Sequence, residues 1–281
     1  MAGGLVVQRS CVEEGAERVD LGIDGRVALV GASARGLGLA TADRLAGEGC
    51  RVAVCDFDQE ALGRAAEDLR ATHPAADIEA FRVDLTSAED IQALVASVKD
   101  QLGPVDILIT NSGGPPPGTF EDATDHAWER AYSLTFLSAV RMIRAVLPDM
   151  KERRWGRIVN FTSRALKEPI PNLMISNAVR LAVGGMAKTL AAEVAPFGIT
   201  VNNLLPGPTA TERQLQLIAA RAERQGITAE EAEAAIVAEI PIGRLAQPDE
   251  PAAVATFLAS EPARYVTGVS LLVDGGAVRA L

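Results

Sequence analysis

Short apolar runs alternate with longer amphipathic segments from Arg26 to the end of this chain. The short runs are rich in valine, isoleucine and leucine and predict buried strands, whereas the longer segments repeat apolar residues about every 3.6 positions and predict helices. This alternation is typical of βαβ crossovers, which build a parallel sheet covered by helices on both faces. The predicted fold class is α/β, a doubly wound parallel sheet of about seven strands at 27–31, 51–55, 78–82, 105–110, 156–161, 200–204 and 270–273.

The same pattern predicts one domain over 25–281, because no linker rich in proline or serine interrupts it. Residues 1–24 contain several acidic residues and no long apolar run, so we expect a loose N-terminal extension rather than a signal peptide. The charged segment 211–239 is a helical insertion between the sixth and seventh strands. It can be a mobile substrate lid or a solvated helical hairpin, and the sequence favours neither.

Charge and composition narrow the classes of function. The chain has 281 residues and a net charge of −10, which argues against nucleic acid or an anionic membrane as partner. No apolar run is long enough to span a bilayer. Three cysteines and two histidines give no zinc-ligand pattern, and we expect buried thiols at Cys50 and Cys55 and no metal. We therefore expect a soluble, cytoplasmic protein.

The first predicted strand runs directly into a helix through a glycine-containing turn, residues 28–38. Gly36 and Gly38 would let a pyrophosphate approach the backbone and lie at the N-terminus of the helix, where N–H groups and the helix dipole favour an anion. Glycines alone are a weak signal, but their place between a first strand and a helix predicts a Rossmann-like dinucleotide site.

An acidic residue, Asp56, follows the second predicted strand. A carboxylate there can accept hydrogen bonds from both ribose hydroxyls and repels a 2′-phosphate, which favours NAD(H). Arg35, in the glycine turn, can pair with a 2′-phosphate and leaves NADP(H) open. Asp56 could alternatively cap the helix that begins near Gln59.

These features, together with later motifs, resemble the short-chain dehydrogenase/reductase superfamily over about 24–281. Asp84-Leu-Thr86, Asn111-Ser-Gly113 and Pro206-Gly207 are similar to segments that hold the cofactor in that family. The resemblance implies hydride transfer between a nicotinamide and a small carbonyl or secondary alcohol, and a homo-oligomer, either dimer or tetramer. The cofactor-binding residues that it implies are Gly31, Ser33, Arg35, Gly36, Leu37, Gly38, Asp56, Asp84, Leu85, Asn111, Ser112, Gly113, Arg180, Pro206, Gly207 and Thr209.

The catalytic positions depart from the family's usual Ser and Tyr-x-x-x-Lys. Ser163 is retained, but Ser176-Asn-Ala-Val-Arg180 replaces the Tyr and Lys, and Thr135 stands where the family has a proton-relay Asn. The substitution resembles a divergent branch labelled 3-oxoacyl-(acyl-carrier-protein)-reductase-like, which also carries the Lys-Glu-Pro stretch found here at Lys167. A serine hydroxyl is a far weaker acid than a phenol, and arginine stays protonated.

Several interpretations of this altered site remain open. Ser163 and Ser176 can hydrogen-bond a carbonyl, Arg180 can stabilise an oxyanion, and the proton can come from Lys167 or from water. Lys167 can equally be a surface charge paired with Glu168. The predicted function is an NAD(P)(H)-dependent oxidoreductase with an atypical site. A lyase, isomerase or cyclase on this fold, or a catalytically silent binding protein, is the alternative.

Overall fold

The computed structural model describes residues 19–280, so most of the predicted N-terminal extension, including Cys11, lies outside the described residues. Seven parallel strands form one sheet in the order β3-β2-β1-β4-β5-β6-β7. This confirms the α/β, doubly wound fold. The strands are β1 (Val27–Val30), β2 (Arg51–Asp56), β3 (Ile78–Arg82), β4 (Ile107–Thr110), β5 (Gly156–Phe161), β6 (Ile199–Pro206) and β7 (Ser270–Val273).

Helices cover both faces of this sheet, and alternate residues of each strand contact opposite layers. In β1, Ala28 and Val30 pack into one apolar cluster, whereas Val27 and Leu29 pack into the other. All four are buried, which explains why the strand is an unbroken apolar run. The helices are α1 (Gly36–Gly47), α2 (Gln59–Thr72), α3 (Ala88–Gln101), α4 (Asp125–Ala131), α5 (Ser138–Arg153), α6 (Met174–Val194), α7 (Glu212–Gln225), α8 (Ala229–Val237) and α9 (Asp249–Leu258).

The strand order reverses between β1 and β4, and their carboxyl ends open a crevice where ligands bind in folds of this kind. Gly31 leaves β1 at this point. A Cβ built on Gly31 would lie 2.7 Å from the carbonyl oxygen of Asn111, which follows β4. Only glycine permits this approach, and it brings the turns after the two strands together.

Two helical features adjoin the crevice. A π-helical segment, Tyr132–Leu137, joins α4 to α5, and the apolar pattern did not predict it. Helices α7 and α8 occupy the predicted insertion and share a small apolar cluster that includes Ile218, Ala222 and Ala232. Among the described residues, no helix has both the length and the apolar character needed to cross a membrane.

Candidate functional site

A cavity of about 380 Å³ opens at the carboxyl ends of β5 and β6. It extends from the start of α1 to the inner side of α7, so it combines the predicted cofactor turn, the predicted catalytic residues and the insertion. Its lining residues include Leu37, Thr162, Ser163, Arg164, Ile170, Leu173, Ser176, Arg180, Pro206, Gly207, Thr209, Arg213, Leu217, Arg221, Arg224, Ile236 and Glu239.

Helix α1 begins at the glycine turn with its first N–H groups free of any side-chain cap. Helices α2, α3, α4, α7 and α8 each have a Ser, Thr or Asp cap, whereas α5, α6 and α9, like α1, have no side-chain cap. Gly36 has φ +56°, and a Cβ on Gly38 would lie 2.3 Å from the carbonyl oxygen of Ala32. An uncapped helix N-terminus beside a tight glycine turn suits a pyrophosphate. The turn therefore fits a dinucleotide, with Leu37 at the cavity wall.

Ser33 has a different role from the one predicted. Its hydroxyl is fully buried, donates to the carbonyl oxygen of Val30 at 2.8 Å and accepts from the N–H of Cys55 at 2.8 Å. These bonds fix the turn to β1 and β2, and the hydroxyl does not face a ligand. Ala32, where the family usually has glycine, has φ +46°, a conformation that disfavours any side chain.

Asp56 ends β2 beside the glycine turn, with its carboxylate accepting N–H groups of Ala34 at 3.4 Å and Asp58 at 3.2 Å. It does not cap α2, because that role belongs to Asp58, which accepts from the N–H of Ala61. Arg35 forms ion pairs with Asp58 and, at 3.4 Å, with Glu212 of α7. The two residues predicted to select the cofactor are therefore neighbours of one another.

The turn after β3 carries Asp84 and Leu85. Asp84 is exposed, and its Oδ1 accepts the N–H and hydroxyl of Thr86, both of which lower its pKa. Leu85 is buried. Asp84 is thus held in a fixed orientation at the edge of the sheet. The resemblance to the family implies that an adenine would lie at this edge.

The turn after β4 carries Asn111, Ser112 and Gly113. The Asn111 amide donates to the carbonyl oxygen of Ala32 at 3.2 Å and so braces the glycine turn. Ser112 donates to the carbonyl oxygen of Gly113 at 3.2 Å. All three are predicted to bind the cofactor. In the structure, Asn111 holds the glycine turn in place.

At the end of β6 and just after it, Pro206, Gly207 and Thr209 line the cavity. A Cβ on Gly207 would lie 2.6 Å from the Cα of Asp274, so this turn packs tightly against the segment after β7. The Thr209 hydroxyl is buried and donates to the carbonyl oxygen of Gly207 at 3.0 Å. Thr209 therefore shapes this wall of the cavity.

The predicted catalytic residues Ser163, Ser176 and Arg180 come together in the cavity. Ser163 follows β5 and its Oγ accepts from the N–H of Ala165 at 3.1 Å, which leaves its hydroxyl proton to donate. On α6, Arg180 Nε donates to Ser176 Oγ at 3.3 Å. This contact confirms that the two residues share one face of the helix, one turn apart.

Arg180 also donates through Nη1 to the carbonyl oxygens of Phe161 and Thr162, at 3.2 and 3.1 Å. Burial lowers its pKa to about 10, with a smaller contribution from the positive charge of Arg213. At neutral pH the guanidinium is still protonated. It can stabilise a developing negative charge, but it cannot serve as the acid that replaces tyrosine.

Thr135 lies in the π-helical segment, away from the main cavity. It is buried, and its hydroxyl makes no hydrogen bond with any of residues 19–280. It lines a cavity of about 10 Å³ together with Asn111, Ser112 and Ser138, about the space that one water molecule needs. A π-helical segment is frequent at functional sites.

Lys167 is not brought to this site. Ser163 caps a 3₁₀ turn, Arg164–Leu166, which reverses the chain and leaves Lys167 exposed and outside the cavity lining. The structure therefore corrects the expectation that Lys167 edges the pocket. Glu168, its expected surface partner, accepts instead from the N–H of Arg279 at 3.4 Å.

The cavity-facing side of α7 is not among the predicted site residues. Arg213, Leu217, Arg221 and Arg224 lie at steps of four, four and three residues and all line the cavity. That spacing is present in the sequence, but the charge spread over the whole segment conceals which face of the helix the cavity meets. Within residues 19–280, no group of three or more histidine, cysteine or acidic side chains could hold a metal.

Comparisons with known proteins agree with this arrangement. The family model described as enoyl-(acyl carrier protein) reductase matches residues 31–278. The NADPH-dependent reductase BacG of Bacillus subtilis is 29% identical over 256 residues, 91% of this chain and 99% of that protein. A putative ketoacyl reductase of Streptomyces coelicolor is 36% identical over 255 residues, 90% and 97% of the two chains.

A solved structure of L-sorbose reductase from Gluconobacter frateurii, complexed with NADPH and L-sorbose, superposes with a TM-score of 0.88. It is 32% identical, and the match covers 93% of this chain and all of that one. Several proteins described with NADPH thus match, and the NAD preference predicted from Asp56 gains no support from them. The chain belongs to the short-chain dehydrogenase/reductase superfamily.

Proposed function

We propose that this protein is an NAD(P)(H)-dependent oxidoreductase that interconverts a small carbonyl compound and a secondary alcohol. The observation that carries the proposal is that Ser163, Ser176 and Arg180 line the same cavity as the uncapped glycine turn. The family and the reductases and dehydrogenases among its relatives support the same reaction. None of the comparisons favours a non-redox enzyme or a silent binding protein.

Different residues of the chain perform different parts of this reaction. When bound, a reduced nicotinamide supplies the hydride that the carbonyl carbon receives. Ser163 and Ser176 donate hydrogen bonds that orient the carbonyl, and Arg180 stabilises the charge that develops on its oxygen. Because Arg180 keeps its proton and Lys167 lies outside the cavity, the oxygen takes its proton from water.

Cofactor choice depends on the charges at the adenosine ribose. Arg35 is already paired with Asp58 and Glu212, and Asp56 lies beside the same turn. Three carboxylates against one guanidinium disfavour the dianionic 2′-phosphate. We therefore propose NAD(H) as the preferred cofactor, in contrast to the NADPH-dependent relatives.

Three finer features also belong to this proposal. On its Ser-Asn-x-x-Arg motif, we assign the chain to the divergent reductase-like branch. A homo-oligomer, dimer or tetramer, follows from its resemblance to the superfamily, and a cytoplasmic location from its composition. Size-exclusion chromatography with light scattering tests the assembly, and a monomer at micromolar concentration would contradict it.

The reaction is tested by following nicotinamide absorbance with purified protein, NADH or NADPH, and a panel of ketones, aldehydes and secondary alcohols. Ser163→Ala and Ser176→Ala should each lower kcat, while Lys99→Ala, a surface variant, should not. Calorimetric titration of the cofactor runs alongside. A protein that binds the cofactor and turns over no member of the panel would overturn the assignment.

A further inference from the structure

The cavity differs sharply in charge from the rest of the chain. The whole protein has 37 acidic and 27 basic residues, yet the cavity is lined by five arginines and a single glutamate, Glu239. Several arginines elsewhere are closely paired, among them Arg244 with Glu250 at 2.7 Å and Arg157 with Glu261 at 2.9 Å. In the cavity the closest approach of Glu239 to an arginine is 3.9 Å, to Arg221. A strongly positive cavity in an acidic protein attracts anions.

Two of these arginines face the cavity with donors to spare. Within residues 19–280, no carboxylate lies within 4.0 Å of the guanidinium of Arg180 or Arg213. Arg180 Nη2 makes no hydrogen bond there, since its described bonds use Nε and Nη1. A buried cation with no counter-ion is costly, and a ligand that supplies the negative charge recovers that cost.

Arg213 reaches across the cavity mouth. It lies in the first turn of α7, and its Nη2 donates to the carbonyl oxygen of Pro115, in the turn after β4. The guanidinium packs against Gly114, where a Cβ would lie 3.2 Å from Nη2. It is therefore held in place, and burial lowers its pKa. A fixed guanidinium with free N–H groups suits a carboxylate, which accepts two parallel hydrogen bonds.

The rest of the wall sets the size and nature of the ligand. Leu37, Ile170, Leu173, Leu217 and Ile236 give it an apolar part. Arg180 and Arg213 line this same cavity, and the positive charge of Arg213 contributes to the lowered pKa of Arg180. Arg221 and Arg224 lie two and three turns further along α7, about 12 Å or more from Arg213 along the axis. They are too distant to share one carboxylate with it.

We propose that the substrate is a short oxo acid, or the corresponding hydroxy acid in the reverse direction, whose carboxylate is held by Arg213 while its carbonyl faces Arg180. Arg221 and Arg224 raise the positive potential along the entry path. The inference rests on the proposed oxidoreductase function and adds the class of substrate to it. It also gives α7 a function, as the wall that recognises the acid.

The test compares acids with their neutral amides. 3-Oxobutanoate and 4-oxopentanoate, each beside its amide, are assayed with wild type, Arg213→Gln, Arg213→Lys and Arg221→Gln. Arg64→Gln, an exposed arginine of α2, is the control for lost charge. Removing one charge-assisted contact should lower kcat/KM for an acid by roughly 10- to 100-fold. Arg213→Gln should show this loss of kcat/KM for the acids and little change for the amides. For the acids, Arg213→Lys should have a kcat/KM between those of wild type and Arg213→Gln.

Arg221→Gln should lower kcat/KM for the acids by a smaller factor. This loss should disappear at high ionic strength, because Arg221 affects only the electrostatic steering of the acid into the cavity. Equal turnover of acids and amides by wild type would overturn the proposal. So would a loss in Arg213→Gln that appears in cofactor affinity, since Thr211 contacts Gly36 and the arginine could instead serve the pyrophosphate. Preference for hydroxyacetone phosphate over the acids would overturn the carboxylate assignment.

A binding measurement separates this inference from the proposed function. Butanoate and butanamide are titrated calorimetrically into cofactor-saturated wild type and Arg213→Gln. If butanoate binds in a way that depends on Arg213 but the protein turns over no substrate, the anion site is supported and the oxidoreductase assignment is refuted. If the protein turns over neutral ketones but does not bind butanoate, the oxidoreductase assignment is supported and the anion site is refuted.

Discussion

Replacing Arg180 by lysine tests whether this residue acts as a fixed cation. Activity should require the protonated guanidinium, which is fully present below its pKa of about 10 and is lost as pH rises through that value. A wild-type profile of kcat/KM should therefore be flat from neutral pH and fall at the alkaline end. Activity falls rather than rises at alkaline pH because the neutral side chain no longer stabilises an oxyanion.

The size of the effect follows from the environment of residue 180. Burial, with a smaller repulsion from Arg213, lowers the pKa of the arginine from 12.5 to about 10. A lysine there meets the same burial and the same neighbour, but its ordinary pKa is about two units lower than that of arginine. The alkaline limb of Arg180→Lys should consequently lie about two pH units below that of wild type. Arg180→Gln should lose roughly 100- to 1000-fold in kcat at neutral pH.

The assay is initial-rate absorbance at the nicotinamide band from pH 6 to about 11, with unfolding monitored by tryptophan fluorescence at each pH. Adding Arg213→Gln to either form should move the limb upward, because one positive neighbour is removed. An alkaline limb that stays in place when arginine becomes lysine would refute the argument. So would an Arg180→Gln variant with wild-type kcat.

Three further outcomes are expected. Asp56→Asn should raise NADPH affinity relative to NADH, measured by calorimetry, because a negative charge leaves the ribose site; an unchanged ratio would remove Asp56 from cofactor selection. Ala32→Gly should raise the unfolding midpoint in urea, since relief of the left-handed strain of about 1–2 kcal/mol exceeds the entropy cost of glycine; Ala34→Gly, at an ordinary φ, should lower it. Arg244 lowers the pKa of Glu250 to about 2. The stability that this ion pair contributes is present above pH 4.5 and is lost as the pH falls toward 2. Arg244→Gln should therefore make the free energy of unfolding depend less on pH between pH 4.5 and 2.

The sheet could be predicted from the sequence because β1, β4 and β5 are buried along their whole length and β2 and β6 along most of theirs, whereas the edge strands β3 and β7 are only partly buried. Strands β3, β5 and β7 have the predicted limits, and β2 and β6 are longer by one to three residues. Of the extra residues, Asp56 in β2 and Leu205 and Pro206 in β6 lie at the ends toward the site, and Ile199 extends β6 at its other end. At the ends toward the site, the residues suit ligand binding rather than the apolar pattern of the strand. Hydrophobic periodicity therefore no longer predicts where the strand ends.

The catalytic residues could be placed because they depend on local spacing. Ser176 and Arg180 share a face through one helical turn, which any sequence with that spacing must satisfy. The positions of Lys167 and Ser33 do not follow from helical spacing. Lys167 is directed by the 3₁₀ turn at Arg164–Leu166, and Ser33 by a tertiary contact, the bond to Cys55.

Under the proposed function, the arginines of α7 offer an explanation of how the site works with Ser176 and Arg180 in place of a tyrosine and a lysine. A tyrosine paired with lysine delivers a proton at neutral pH, whereas Arg180 supplies only positive charge. An oxo acid brings its own negative charge close to the reacting carbon, and that charge opposes the formation of a second negative charge on the carbonyl oxygen. Arg213 neutralises the first charge and Arg180 stabilises the second, so protonation by water can follow hydride addition. Arg213→Gln should therefore lower kcat as well as raise KM for an oxo acid. A change in KM alone would mean that Arg213 only binds the substrate.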